Sequence, residues 1–258
     1  MNDPDALMAF ASELLVGAGA LARERFGCVA TEYKADGSEV TAADREIEAL
    51  LRAELRERFP EDGILGEEDT EVASSSGRRW LLDPIDGTRS FASGVPLYGM
   101  LLALEVDGVP RLGCCHLPEL GDTLVAARGA GAWLNGGRAR VSECAELGEA
   151  RLLTSGWEYW RDRADPEMRD GWDRLADATR FARTWGDCFG YCLVATGRAE
   201  LLCDPISGAR WDYGPMLPIL EEAGGRFTTF SGNAVCDWSS ALASNGALHA
   251  SASALLAG

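Results

Sequence analysis

Apolar residues recur with a helical period over the first two segments of the chain. Leu7, Phe10, Ala11, Leu14, Leu15 and Ala18 fall on one face, between a start signal at Asp3-Pro4 and a stop at Gly27. The polar stretch TEYKADGSEV separates this helix from a second one in TAADREIEALLRAELRERFP. There Thr41 is the expected N-cap and Asp44 the third helical residue. Ile47, Leu50, Leu51 and Leu55 make the expected inner stripe, and Pro60 ends the helix.

The period then shortens. DGILGEED reads as a short strand that runs into acids, and WLLDPIDGTRSF as an apolar strand that does the same. From Leu97 to Val141 short apolar runs alternate with the turn signals VDGVP, PELGD, ARGAG and LNGG, which predicts an antiparallel meander. The linker SECAELGEA follows. Beyond it strands (RLLTSG, FARTWG, AELLCD) alternate with helices: PEMRDGWDRLADATR, Asp187 to Gly197, and Trp211 to Gly224. The order predicts a layered α/β (α+β) chain. Residues 1–143 are expected to carry the helices and the antiparallel meander, and residues 144–258 an alternating α/β half.

A chain of 258 residues buries roughly 70–75% of its unfolded surface and needs no staple. The net charge of −17 argues against nucleic acid and against an anionic membrane surface as partners. Part of that charge reads as a metal site counted without its metal. Lys34 is the only lysine among many arginines, read here as coding bias. Eight cysteines form no zinc pattern. Cys114 and Cys115 are adjacent, while Cys188 and Cys192 share an expected helix. They read as free thiols packed as small hydrophobes in a reducing cytoplasm. The start, MNDPDALMAFASELLVG, is acidic and then amphipathic, so no signal peptide is expected. No apolar run reads as long enough to span a bilayer.

Acids carry the candidate chemistry. Glu67 and Glu68 in GEED, Asp83 and Asp86 in DPIDGT, and Asp212 in RWDYGP each follow an apolar strand or open a helix. Carboxylates this close repel unless a cation lies between them. An all-oxygen set suits hard ions: Mg2+ first, with Mn2+ or Ca2+ possible. His116 and His249 are the only histidines, each read as a lone surface or core residue, so no histidine base is expected. Gly87 and Thr88 follow Asp86, and RSF then opens a short helix. Free N–H groups at such a start, with a glycine, suit a phosphate. The expected site holds two or more Mg2+ ions, a phosphate and a water, as in metal-assisted hydrolysis with ions roughly 3.5–4 Å apart. Alone, DG is a turn, GEED a solvated loop, Asp212 a first-turn acid and Asp44 a capping-box residue. Together, in this order, they point to one site.

GEED, WLLDPIDGTRSF and WDYGPMLPILEEAGG resemble the three signatures of the inositol monophosphatase family, and VTAADREIE and ARGAGAWLNG extend the likeness over nearly the whole chain. The resemblance implies an αβαβα sandwich with an antiparallel N-terminal sheet and a mixed C-terminal sheet, commonly a homodimer. It also implies a phosphomonoesterase dependent on Mg2+ and inhibited by Li+ and Ca2+. By the same resemblance Glu67, Asp83 and the Ile85 carbonyl hold a first metal. Asp83, Asp86 and Asp212 hold a second, and Glu67 helps with a weaker third. Thr88 and Asp44 orient the attacking water with Glu68 beside them, and backbone groups of Gly87 and Thr88 hold the phosphate. Asp86 and Asp212 also face the substrate. One departure is Pro218, which should kink the helix that begins at Trp211 or shift its start.

The alcohol is a separate question. Gly186-Asp187 before YCLVATGR, and Asp204-Pro205 before RWD, resemble the histidinol-phosphatase branch. An added carboxylate favours a cationic alcohol, and histidinol carries an ammonium and an imidazole. L-Histidinol phosphate is therefore the expected substrate, with inositol phosphate as the alternative. An alternative role for Asp187 is to cap the helix it begins. Fructose bisphosphate and adenosine bisphosphate are weaker alternatives; the first needs a second basic pocket that the sequence does not reveal. A non-catalytic metal-binding regulator would have lost a ligand or Thr88, and neither is lost.

Overall fold

The computed structural model describes residues 3–28, 32–33 and 39–257; Lys34 lies outside the described residues. Helix α1 (Pro4–Arg25) opens on Asp3, whose carboxylate accepts the Asp5 N–H at 3.2 Å. Gly27 leaves the helix with φ +64°. By length and composition α1 could cross a bilayer, which corrects the expectation drawn from the apolar runs. Its buried residues, among them Leu7, Ala11, Leu15 and Ala18, join the core instead.

The paired strands β1 (Glu32–Tyr33) and β2 (Glu39–Val40) lead to helix α2 (Ala42–Arg58). The expected capping box is present: Asp44 Oδ2 accepts the Thr41 N–H at 2.8 Å, and Thr41 Oγ1 accepts the Ala43 N–H at 3.2 Å. Leu50, expected inside, is 38% exposed. The buried arc of α2 runs through Ala43, Asp44, Ile47, Glu48, Leu51, Arg52 and Leu55. Residue 50 falls outside that arc by helical spacing, and three of the arc's seven places are charged.

The first sheet has the order β3-β4-β5-β6-β7-β8-β9. Its strands are β3 (Gly63–Gly66), β4 (Arg78–Asp86), β5 (Gly99–Val106), β6 (Val109–Leu117), β7 (Asp122–Ala127), β8 (Gly131–Leu134) and β9 (Gly137–Arg138). The meander is antiparallel as expected, but β3 runs parallel to β4. Helix α3 (Thr88–Ala92) turns off the end of β4. Along β5, Met100, Leu102 and Leu104 join the core shared with α1 and α2, while Leu101 joins the core on the other face. Both faces are covered, so the strands read as apolar runs.

The second sheet is mixed, with order β11-β10-β12-β14-β13. It comprises β10 (Arg151–Leu153), β11 (Phe181–Arg183), β12 (Leu201–Asp204), β13 (Arg226–Thr228) and β14 (Ala241–Ser244). Helices α4 (Trp157–Asp162) and α5 (Pro166–Ala178) lie between β10 and β11 in the chain, and α6 (Asp187–Ala195) follows β11. The stretch expected as one helix from Trp211 is two, α7 (Arg210–Tyr213) and α8 (Met216–Glu222). Pro218 is the third residue of α8, where a missing N–H leaves no helical bond unmade. The break falls at Gly214-Pro215 instead. A Cβ at Gly113 of β6 would collide with the Pro215 carbonyl, so this close approach sets where the chain bends. Helix α9 (His249–Ala257), together with α4, β13 and β14, has no counterpart in the hydrophobic pattern as read.

The layers are α1 and α2, the first sheet, α6 with α8, the second sheet, and α5 with α9. This is the expected αβαβα sandwich. His116 and His249 are both buried. Cys114, Cys115, Cys188, Cys192 and Cys203 are buried free thiols as expected, whereas Cys28 and Cys236 are exposed.

Candidate active site

The site gathers where β4, α6 and α7 end or begin. Strand β4 carries Asp83 into the interior at 1% exposure. Its Oδ1 accepts the Ile85 N–H at 3.0 Å, and the pairing of β4 with β5 shifts register between Asp83 and Asp86. That irregularity, with Pro84 inside it, lets two nearby acids face one space. Gly87 then turns the chain at φ +84°, and a Cβ there would press on the Leu97 carbonyl at 3.2 Å. Only glycine fits both constraints.

Asp86 Oδ2 accepts the Cys188 N–H at 2.5 Å, at the start of α6. Asp212, in α7, accepts the Ala209 N–H at 2.7 Å through Oδ2. Oxygens of Asp83, Asp86 and Asp212 all lie within 4.8 Å of one another. Glu67 lines the same cavity of about 520 Å³, as do Ile85, Gly87, Thr88, Asp187 and Asp204. The carboxyls of Asp83, Asp212 and Asp187 are pushed well above the usual carboxylate range, first by burial and then by nearby acids: Glu67 and Asp86 beside Asp83, Asp86 and Glu67 beside Asp212, and Asp86 and Asp204 beside Asp187. Asp86 is raised by burial. Against these acids the cavity wall offers Arg89 and Arg163, and Arg89 already pairs with Glu158 at 2.6 Å. The donor set is all oxygen and short of cations, which fits a hard metal ion.

Thr88 Oγ1 donates to the Ile85 carbonyl at 3.0 Å and lies 3.5 Å from Asp44 Oδ1. Asp44 is fully buried behind it, its pKa raised by burial and, further, by Glu68. Glu68 is half-buried, with its N–H held by Glu48 Oε2 at 2.8 Å.

Asp187 sits at φ +52°, an uncommon backbone for a residue with a side chain. Its N–H donates to Ser155 Oγ at 2.9 Å. It does not cap α6: Gly186 is the N-cap and carries no side chain, while Asp86 takes the Cys188 N–H. One Asp187 oxygen lies 3.5 Å from where a Cβ on Gly87 would be, so the carboxylate faces the DPIDGT turn. Asp204 lies beneath. Its oxygens accept Thr154 Oγ1 (2.5 Å), the Ser155 N–H (2.8 Å) and Ser155 Oγ (2.7 Å). Asp204 thus holds Ser155, and Ser155 holds Asp187.

The chain matches the model of the inositol monophosphatase family over residues 3–257. The chain belongs to that family. This phosphatase is 44% identical over 224 residues to a histidinol-phosphatase of Chlorobaculum parvum, covering 86% of this chain and 84% of that one. It is 39% identical to a histidinol-phosphatase of Mycobacterium tuberculosis over 96% of both chains. Among solved structures, the Thermotoga maritima IMPase superposes with a TM-score of 0.85 at 32% identity, over 98% of this chain and 96% of that one. The phosphatase assignment, the layered fold and an acidic cluster able to hold a metal therefore agree.

Ser155, Tyr159, Arg163, Ser207 and Trp238 also line the cavity, and no motif in the sequence marks them. Ser155 and Ser207 lie just past the ends of β10 and β12. Polar loop residues beyond strand ends were the available signal.

Proposed function

We propose that this phosphatase hydrolyses L-histidinol phosphate to L-histidinol and inorganic phosphate, with Mg2+ as cofactor. The carrying observation is the Asp187 carboxylate, which faces the turn at Gly87 from a left-handed backbone whose N–H is held by Ser155 Oγ. Such a group favours a cationic alcohol over a neutral one. The two relatives named histidinol-phosphatase support the same substrate.

Glu67, Asp83, Asp86, Asp212 and the Ile85 carbonyl would hold Mg2+. Bound there, the ions supply Lewis-acid polarisation of the phosphate and of the attacking water. The remaining work falls to the chain. Gly87, without a Cβ, admits the phosphate to the backbone of the turn. Thr88 Oγ1 accepts a hydrogen bond from the water as its O–H turns from the Ile85 carbonyl to Asp44 Oδ1, towards which it passes its own proton. Burial raises the Asp44 pKa, which makes it a better acceptor at that moment. A bond forms from the water oxygen to phosphorus as that water's proton moves by way of Thr88 to Asp44, the ester P–O bond breaks, and the histidinol oxygen takes up a proton from a solvent water in the cavity. Asp187 meets the ammonium of the leaving alcohol. On this reading residues 1–143 carry most metal ligands, and residues 144–258 carry Asp212 and the choice of alcohol. The enzyme acts as a cytoplasmic homodimer, and Li+ and Ca2+ inhibit it.

Asp187→Asn tests the assignment. It keeps the size of the side chain and removes a buried charge, so the thermal midpoint should hold or rise. Breaking one side of a partly buried charge pair typically costs about 2–5 kcal/mol. Measured kcat/KM for histidinol phosphate should fall at least about tenfold, or roughly 1.4 kcal/mol. Turnover of inositol 1-phosphate should hold or rise, because a charge that repels phosphate is gone. An unchanged ratio of the two activities would remove Asp187 as the selector.

A further inference from the structure

Helix α2 buries three charged residues one turn apart: Asp44, Glu48 and Arg52, at 0%, 1% and 3% exposure. Asp44 stands behind Thr88. The other two have no contact with the cavity, and an apolar pair would pack α2 at least as well. Taking an ion pair out of water commonly offsets its own attraction, so a buried pair is weak evidence for stability. Its hydrogen bonds show what it organises.

Glu48 Oε2 accepts the Glu68 N–H at 2.8 Å, and Glu48 Oε1 accepts the Asp69 N–H at 3.0 Å. Arg52 Nε donates to the same Oε1 at 2.7 Å. Its two terminal nitrogens donate to the Thr70 carbonyl at 3.1 Å and the Asp69 carbonyl at 2.9 Å. Two side chains thus grip the backbone of residues 68–70 at four points. On the other side of Glu67, a Cβ at Gly66 would come within 2.5 Å of Glu48 Oε1 and 2.6 Å of Leu82 Cδ1. Only glycine lets β3 end this close to α2. Glu67 therefore sits between a strand end pressed on Glu48 and a loop clamped by Glu48 and Arg52.

We infer that Glu48 and Arg52 are positioning residues that aim the Glu67 carboxylate at the metal site. Because Asp44 lies one turn earlier on the same helix, α2 also sets Glu67 in register with the Thr88–Asp44 pair. The inference rests on Glu67 being a metal ligand, as proposed above. Neither residue touches substrate, and both act through the backbone next to Glu67.

The test is Mg2+ binding to the metal-free, full-length protein by calorimetry, with no substrate present. Glu48→Gln keeps one acceptor and cannot serve two N–H groups and Arg52. The double variant Glu48→Gln/Arg52→Met leaves no unpaired buried charge and guards against misfolding. Replacing partners behind a metal ligand weakens binding about 10–100-fold. Both variants should raise the Mg2+ Kd at least about tenfold, or roughly 1.4 kcal/mol. Leu55→Ala, a cavity in the same helix away from the loop, should lower the thermal midpoint and leave the Kd unchanged. A folded double variant with wild-type Kd overturns the inference, and so does an equal loss in Leu55→Ala. Glu67→Gln, measured alongside, separates the two levels. If it binds Mg2+ normally, the ligand assignment itself falls and takes the inference with it. If it binds weakly while the Glu48 variants bind normally, only the positioning role fails.

Discussion

Asp83→Asn is expected to remove nearly all turnover, at least about 10³-fold in kcat/KM, or roughly 4 kcal/mol of transition-state stabilisation. At the same time the metal-free protein should become more resistant to heat. Both effects come from one carboxylate. On the proposed reading Asp83 belongs to two Mg2+ sites at once, so its charge is needed when metal is bound. Without metal the same charge is a burden: burial, and then Glu67, Asp86, Asp212 and Asp44, raise its pKa well above the ordinary value. A carboxyl whose folded pKa is raised above its unfolded value destabilises the fold above the folded pKa. That penalty fades as pH falls through the raised range and is absent below about pH 4, the unfolded value. The metal-free wild type should therefore gain thermal stability from neutral towards mildly acidic pH. Asp83→Asn should start higher and gain less. Differential scanning in a chelator, repeated in excess Mg2+, reads both effects. A variant that keeps near-normal turnover in Mg2+ would contradict the metal assignment.

Thr88→Ala should lower kcat by about 10²-fold or more and leave KM within a few-fold. The hydroxyl lies between the Ile85 carbonyl and Asp44, where it can steer a water but has no call on the alcohol. Loss of orientation and proton transfer appears in kcat, because those interactions mature only in the transition state. Thr88→Ser keeps the hydroxyl and should recover most of the rate. Steady-state kinetics on both variants decides it. A rise in KM alone would make Thr88 a substrate-binding group.

Much of this site is legible in the chain because its parts are local. Thr41 and Asp44 lie three residues apart and cap one helix. The DPIDGT turn shows itself because an apolar strand has no reason to end in two acids unless something cationic meets them. What escapes the sequence depends on distant contacts. Ser155 reaches Asp187 only because β10 and β11 pair in parallel, Leu153 beside Arg183. The bend between α7 and α8 is set by Gly113 on a strand far away in the chain. Leu50 looked like core because apolar spacing cannot reveal that Glu48 and Arg52 have taken the buried places. Helix α1 shows the reverse: its composition suits a bilayer, and only its contacts with α2 and the first sheet reveal a core helix.

The most direct test of the central claim is phosphate release by the wild-type enzyme in Mg2+, with kcat/KM measured side by side for L-histidinol phosphate, inositol 1-phosphate and fructose 1,6-bisphosphate. Histidinol phosphate should lead both by at least about tenfold, the advantage of roughly 1.4 kcal/mol that one well-placed charge provides. Equal or higher kcat/KM for inositol 1-phosphate would contradict it.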